Sequence, residues 1–204
     1  MNLVGGHTDY SGGSVLPVAT DLHTRIDAVS QPDRVTVRST AMDETRSFDV
    51  GDREPTNDWL DYVKGCYAVL GEVGYDPAGF EGVIRGDLPL GAGLSSSASL
   101  ELAVLALLDD VNDLGLTRTE LARLGQRVEN GFVGVPCGVL DQSAVALTRE
   151  GHALRLDTAT LEHEHVPLPA GLRLLGFHTG VERTRSESPY SERRETETAA
   201  LDRL

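Results

Sequence analysis

The sequence predicts an α+β fold, a mostly antiparallel sheet backed by helices. Three observations predict it. Residues 24–30 and 34–40 alternate apolar and polar side chains (Ile26 and Ala28, then Val35 and Val37), the period of half-buried strands. From Asp58 the spacing becomes helical, with Leu60, Val63, Tyr67 and Leu70 on one face. Apolar residues make up 40% of the 204, enough for a packed core, and no apolar run approaches the ~20 residues that cross a bilayer.

Taken in order, the two alternating segments flank Gln31-Pro32-Asp33 and so read as a β-hairpin, with 46–50 as a third strand. The helix after Asp58 has that residue as its N-cap and ends at Gly71 and Gly74. Residues 80–87 form another strand. A Gly/Ser stretch follows, and then the most apolar run, 100–108, a buried helix. Thr117-Arg118-Thr119-Glu120 has the form of a capping box, and Leu121, Leu124 and Val128 continue at helical spacing, which predicts a helix over 117–130. Short strands are expected at 153–156 and 172–177. Ser188 followed by Pro189 opens a last helix, rich in Glu and Arg and with few apolar residues to bury. No repeat, low-complexity tract or linker divides the chain.

Thirty-two acidic against 18 basic residues leave a net charge of −14, which argues against a nucleic-acid partner. Lys64 is the single lysine. An acidic surface without lysine suits a halophilic protein, kept soluble in concentrated salt that screens its self-repulsion. The first ten residues carry no basic or apolar leader, so a soluble, cytoplasmic protein without a membrane partner is expected. Cys66 and Cys137 lie far apart with no CxxC partner and read as free thiols rather than a disulfide or a zinc site.

Three clusters carry candidate chemistry. Leu88-Pro89-Leu90-Gly91-Ala92-Gly93-Leu94-Ser95-Ser96-Ser97-Ala98 combines glycines, hydroxyls and a helix start. It is either an anion cradle, though neither a GxxxxGK[ST] loop nor a GxGxxG fingerprint, or a flexible turn capping a core helix. The loop from Gly5 to Gly13 can present His7, Thr8 and Asp9 to the hydroxyls of a polyol; a mobile turn, or less readily a metal site with His23, is the alternative. Glu129 and Asp141 flank an apolar, glycine-bearing loop. One could hold Mg²⁺ beside a phosphate and the other accept a proton from an attacking hydroxyl, as phosphoryl transfer requires. On these residues alone, Glu129 closing a helix on its solvated side and Asp141 capping the next is favoured. His163 and His165 read as part of a solvated edge strand, and 192–197 as the wet face of the last helix.

In this order the clusters resemble the galactokinases, a branch of the GHMP family of small-molecule kinases. NLVGGHTDYSGGSVLP is similar to the family's sugar signature, DLPLGAGLSSSAS to its ATP loop, VENGFVGVPCGVLDQ to the segment bearing its catalytic aspartate, and SPYSERR to a sugar-contacting segment of the second domain. The resemblance implies a GHMP-kinase N-terminal ATP- and sugar-binding domain over 1–168 and an incomplete start of the C-terminal α/β domain over 169–204. It further implies ATP and Mg²⁺ as cofactors, galactose as substrate, and a monomer.

Under that resemblance Asp141 acts on the C1 hydroxyl of galactose. Ser97 and Glu129 hold Mg²⁺. Gly91, Ala92, Gly93, Leu94, Ser95, Ser96 and Ser97 wrap the phosphates, and Trp59 and Tyr62 lie near the adenine. Gly6, His7, Thr8, Asp9, Gly138 and Tyr190 contact the sugar. Relatives carry glutamate at the position of Gly6, and an arginine beside the catalytic aspartate at a position immediately ahead of Met1. They also continue well past Leu204. The expectation is therefore a fragment with little activity of its own. A non-catalytic galactose and ATP sensor, and a GHMP kinase for another sugar such as N-acetylgalactosamine, are the alternatives.

Overall fold

In the computed structural model, which describes residues 1–6, 8–89 and 91–177, the alternation in the first half becomes one face of a four-stranded sheet. Its strands are β2 (Thr24–Gln31), β3 (Arg34–Ser39), β4 (Glu44–Asp49) and β5 (Gly79–Gly86), in the order β2-β5-β3-β4. Val35 and Val37 are completely buried, as a period of two demands of the inward face. The predicted hairpin does not form. β5 lies between β2 and β3, antiparallel to β2 with Ile26 opposite Ile84, and parallel to β3 with Thr36 opposite Glu81. Alternation marks a strand and Pro32 marks a turn, but neither says which strand fills the neighbouring position. Gly79 makes the insertion possible: its N–H donates to the Pro32 carbonyl, and a Cβ there would overlap the Arg34 backbone.

A second, three-stranded sheet orders β1 (Ser14–Val15), β6 (His152–Asp157) and β7 (His163–Pro167) as β1-β6-β7, antiparallel throughout. β7 is an edge strand, as the alternation of histidine and glutamate there suggested; it carries His163 exposed and His165 half-buried. Residues 172–177, expected to be a strand, are not one. They pair with no neighbour among the described residues, and Leu175 and Phe177 stand 78% and 87% exposed, so apolar content there reflects no sheet. The helix expected from Ser188 and the charged run 192–197 lie outside the described residues.

Four α-helices pack on the sheets: α1 (Asp61–Glu72), α2 (Ser96–Asn112), α3 (Arg118–Arg127) and α4 (Leu140–Leu147). Asp58 accepts from the Leu60 N–H at 2.8 Å, just ahead of α1. That helix is buried from Asp61 through Leu70, on every face rather than one stripe. Lys64, 2% exposed, is tolerated there because its ammonium donates to the Asp52 carboxylate at 3.0 Å and to the Glu54 carbonyl at 2.6 Å. The capping box opens α3: the Thr117 hydroxyl accepts from the Glu120 N–H, and the Glu120 carboxylate from the Thr117 N–H. Past Arg127 the helix widens into a π-helical segment, Val128–Val133.

One apolar core joins the four-stranded sheet to α1, α2 and α3; a smaller one joins β1, β6 and α4. Cys66 is buried and Cys137 half-buried, both free. Among the described residues no helix is long and apolar enough to cross a membrane.

Candidate functional site

The Gly/Ser stretch forms an open turn on the start of α2. Gly91 and Gly93 have φ of +71° and +72°, and Ser95, at the helix boundary, also takes a left-handed conformation with φ of +58°. Ser95 does not cap the helix with its side chain, and the first turn holds no acidic residue. The leading N–H groups and the positive end of the dipole are thus left for a ligand, the arrangement that receives anions. Among the described residues a Cβ on either glycine would meet nothing within 4 Å, so the turn is not packed against the part of the protein described.

Ser97, in the first turn of α2, turns inward and donates its hydroxyl to Glu129 Oε1 at 3.0 Å. Glu129 lies in the π-helical segment and is 7% exposed, not on a solvated helix end as its neighbours in sequence favoured. The extra residue of a π turn re-aims side chains, a device common at functional sites. Its tight seat on α1 depends on Gly65, where a Cβ would lie 2.7 Å from Val128 Cγ1. Burial pushes the Glu129 carboxyl above the usual carboxylate range, the Ser97 hydroxyl pulls it back, and the charge of Asp141 pushes it up again.

Asp141 and Gln142 occupy the first turn of α4 and face opposite ways. Asp141 is exposed, while Gln142 is completely buried and donates from Nε2 to Glu129 Oε2 at 2.8 Å and to Glu101 Oε2 at 3.2 Å. Cys137 also gives its thiol hydrogen to Glu129; burial first, and then the carboxylate itself, drive that thiol's pKa far up. Gly125 of α3 lets α2 and α4 close on this cluster, since a Cβ there would be 2.8 Å from Leu102 Cδ2 and 3.0 Å from Gln142 Cγ. The amino group of Met1 donates to the Val18 carbonyl at 2.8 Å; burial pulls its pKa down and the charge of Asp141 pulls it back up, so the N-terminal segment lies within electrostatic reach of that carboxylate.

The loop from Gly5 to Gly13 arrives on the same side. Thr8 serves the loop itself: its hydroxyl donates to the Gly5 and Ser14 carbonyls, and its own carbonyl accepts from the Gly13 N–H. Thr158 closes the loop onto the chain after β6 through Gly13. Asp9 is 8% exposed and packs directly on Gly138, the residue three before Asp141. Together they line a cavity of about 330 Å³ whose wall includes Gln126, Arg123 and Thr158. A methyl group at Gly138 would overlap the Asp9 carboxylate. Gly138→Ala is accordingly expected to displace the Asp9 carboxylate and to cost roughly 1–3 kcal/mol of stability, the usual effect of overpacking; thermal unfolding checks it.

Gly6 is exposed, and a Cβ there would lie 3.9 Å from Asn2 Nδ2. Trp59 donates its indole N–H to Glu44 Oε2 at 2.9 Å and leans on the main core, and Tyr62 is buried. His7 and Tyr190 lie outside the described residues. His23 is exposed, within 3.6 Å of Asp87. Among the described residues no group of three or more His, Cys, Asp or Glu side chains is gathered to hold a metal. Missed from sequence are Gln142 and Glu101. The signal for Glu101 was present, as a carboxylate between Leu100 and Leu102 in the most apolar stretch of the chain.

The GHMP kinases N terminal domain model matches residues 61–149, and the galactokinase galactose-binding signature matches residues 1–29. Galactokinase of Thermococcus kodakarensis is 49% identical over 98% of this chain and 57% of its own length; that of Pyrococcus furiosus is 44% identical over 95% and 55%. This chain spans little more than half the length of the curated relatives it matches. The crystal structure of Lactococcus lactis galactokinase complexed with galactose superposes with a TM-score of 0.86 at 37% identity, over 100% of this chain and 55% of that one. Methanococcus jannaschii mevalonate kinase shares the fold at a TM-score of 0.67 and 19% identity, over 81% of this chain and 52% of its own.

Proposed function

Since the chain belongs to the GHMP kinases and carries the galactokinase signature, we propose that its site transfers the γ-phosphoryl group of ATP to the C1 hydroxyl of α-D-galactose. The products are galactose 1-phosphate and ADP. The contact of Asp9 with Gly138 carries the reading, because it sets a residue of the galactose signature against the loop that leads into Asp141.

Asp141 accepts the proton of the C1 hydroxyl, or orients that hydroxyl, as its oxygen attacks the γ-phosphorus and the bond to the bridging oxygen of ADP breaks. The backbone N–H groups of 91–97 and the uncapped start of α2 surround the phosphates. Asp9 and Gly138, with Gly6, His7 and Tyr190, are assigned to the sugar, and Trp59 and Tyr62 to the adenine.

Ser97 and Glu129 fit a magnesium ion. Both offer hard oxygen, and Mg²⁺ is typically held by one or two protein oxygens, with phosphates and water completing its shell. When bound, the ion neutralises charge developing on the transferred group.

Incubating the protein with ATP, Mg²⁺ and galactose, glucose or N-acetylgalactosamine in turn tests the assignment. Slow phosphorylation of galactose, ahead of the other two, is expected. Loss of that preference would move the substrate to another sugar, and galactose bound without transfer would mark a sensor. With neither binding nor transfer the proposal fails.

A further inference from the structure

We infer that Gln142 is a positioning residue for the cation held at Ser97 and Glu129, an inference that rests on the kinase reading above. Glu129 can offer an oxygen to a cation only if its carboxylate is held in one orientation, and buried side chains provide the grip. Oε1 takes the Ser97 hydroxyl, and Oε2 takes the Gln142 amide at 2.8 Å. Gln142 reaches that point because its backbone is fixed in the first turn of α4, its side chain is wholly enclosed, and its second amide hydrogen is anchored 3.2 Å away on Glu101 Oε2 of α2.

One amide group therefore ties three elements together. These are the helix carrying the serine turn, the π-helical segment carrying Glu129, and the helix that begins beside Asp141. Because Asp141 and Gln142 are consecutive, any shift of the amide also moves the exposed carboxylate relative to Glu129. A glutamine suits the place: two carboxylates converge on it, and an NH₂ group supplies a hydrogen to each, which a carboxylate, a hydroxyl or an apolar side chain would not. Partners of this outer kind typically account for 10–100-fold in metal affinity.

The test measures Mn²⁺ bound by the whole chain together with a non-hydrolysable ATP analogue, by electron paramagnetic resonance, alongside thermal midpoints without metal. Gln142→Met keeps the volume and removes both donated hydrogens; Gln142→Asn serves if that variant does not fold. The Mn²⁺ dissociation constant is expected to rise about 10–100-fold, with affinity for the metal-free analogue unchanged.

Ser143→Ala is the control on the same turn. The Ser143 hydroxyl is buried with no partner among the described residues, so its removal is expected to leave Mn²⁺ affinity within threefold and to raise the thermal midpoint. Equal Mn²⁺ binding by the unaltered chain and the Gln142 variants would overturn this inference alone. Weakening by Ser143→Ala as large as by Gln142→Met would also overturn it, by tracing the effect to general loosening of α4. Failure of the unaltered chain to bind Mn²⁺ with the analogue would overturn the kinase reading and this inference with it.

Discussion

With Asp141 replaced by asparagine, formation of galactose 1-phosphate is expected to fall by roughly 10²–10⁴-fold, the range a positioned acid or base contributes. Asparagine keeps the shape and one hydrogen-bonding oxygen, so orientation of the C1 hydroxyl survives in part, but the amide cannot take its proton. The fold has little stake in the change. Asp141 is exposed, and its charge contributes to the fold through its place in the first turn of α4, worth about 0.3–1 kcal/mol through the helix dipole, beside its opposed effects on the Met1 amino group and Glu129. Galactose affinity should hold within a few-fold, and the thermal midpoint should drop only slightly. Initial rates at saturating galactose and ATP, calorimetric titration with galactose, and a thermal scan separate these effects. A rate within tenfold of the unaltered protein would remove Asp141 from the chemistry.

Much of this arrangement was legible in the sequence where a local pattern has one physical meaning. The capping box at Thr117 and Glu120 specifies a helix start without reference to the rest of the chain, and it is found as written. Glycines between hydroxyls before an apolar run specify an open turn on a helix, and Gly91 to Ser97 form one. What stayed hidden depends on distant partners. β5 separates β2 from β3 because strands far apart in sequence pair there, while the local signal around Pro32 is that of an ordinary hairpin. Glu129 looked like a solvated helix end because an α-helical period was extended through it. The π-helical segment breaks that period and carries the side chain inward to Ser97. Gln142 had no signal of its own, since a glutamine beside an aspartate reads as polar surface until α2 and α3 are seen to close over it.

Glu129→Gln is expected to weaken Mn²⁺ binding by more than about 100-fold, beyond the 10–100-fold typical of an outer partner, because it removes a proposed ligand and its charge. The same change should leave the protein folded. An amide can turn its oxygen to the Gln142 Nε2–H and its NH₂ to Ser97, whose hydroxyl accepts as readily as it donates, so the Gln142 contact keeps its sense and the Ser97 contact is kept in reverse. Stability should then respond to pH in a defined direction. Burial raises the carboxyl of Glu129 in the folded protein above its value in the unfolded chain, so the folded state holds the proton more tightly. Its contribution to stability is complete below the ordinary glutamate value, about 4.3, and is lost as pH rises through the raised folded value. The amide does not titrate. In chelator-treated samples, the stability of Glu129→Gln minus that of the unaltered chain should therefore climb with pH across that window and level off above it. Urea unfolding of both proteins at half-unit steps from pH 4 to pH 8 reads the difference directly and cancels titrations common to the two. A flat difference would mean that Glu129 pays no penalty for its burial, and a falling one that its charged form is what the folded protein prefers.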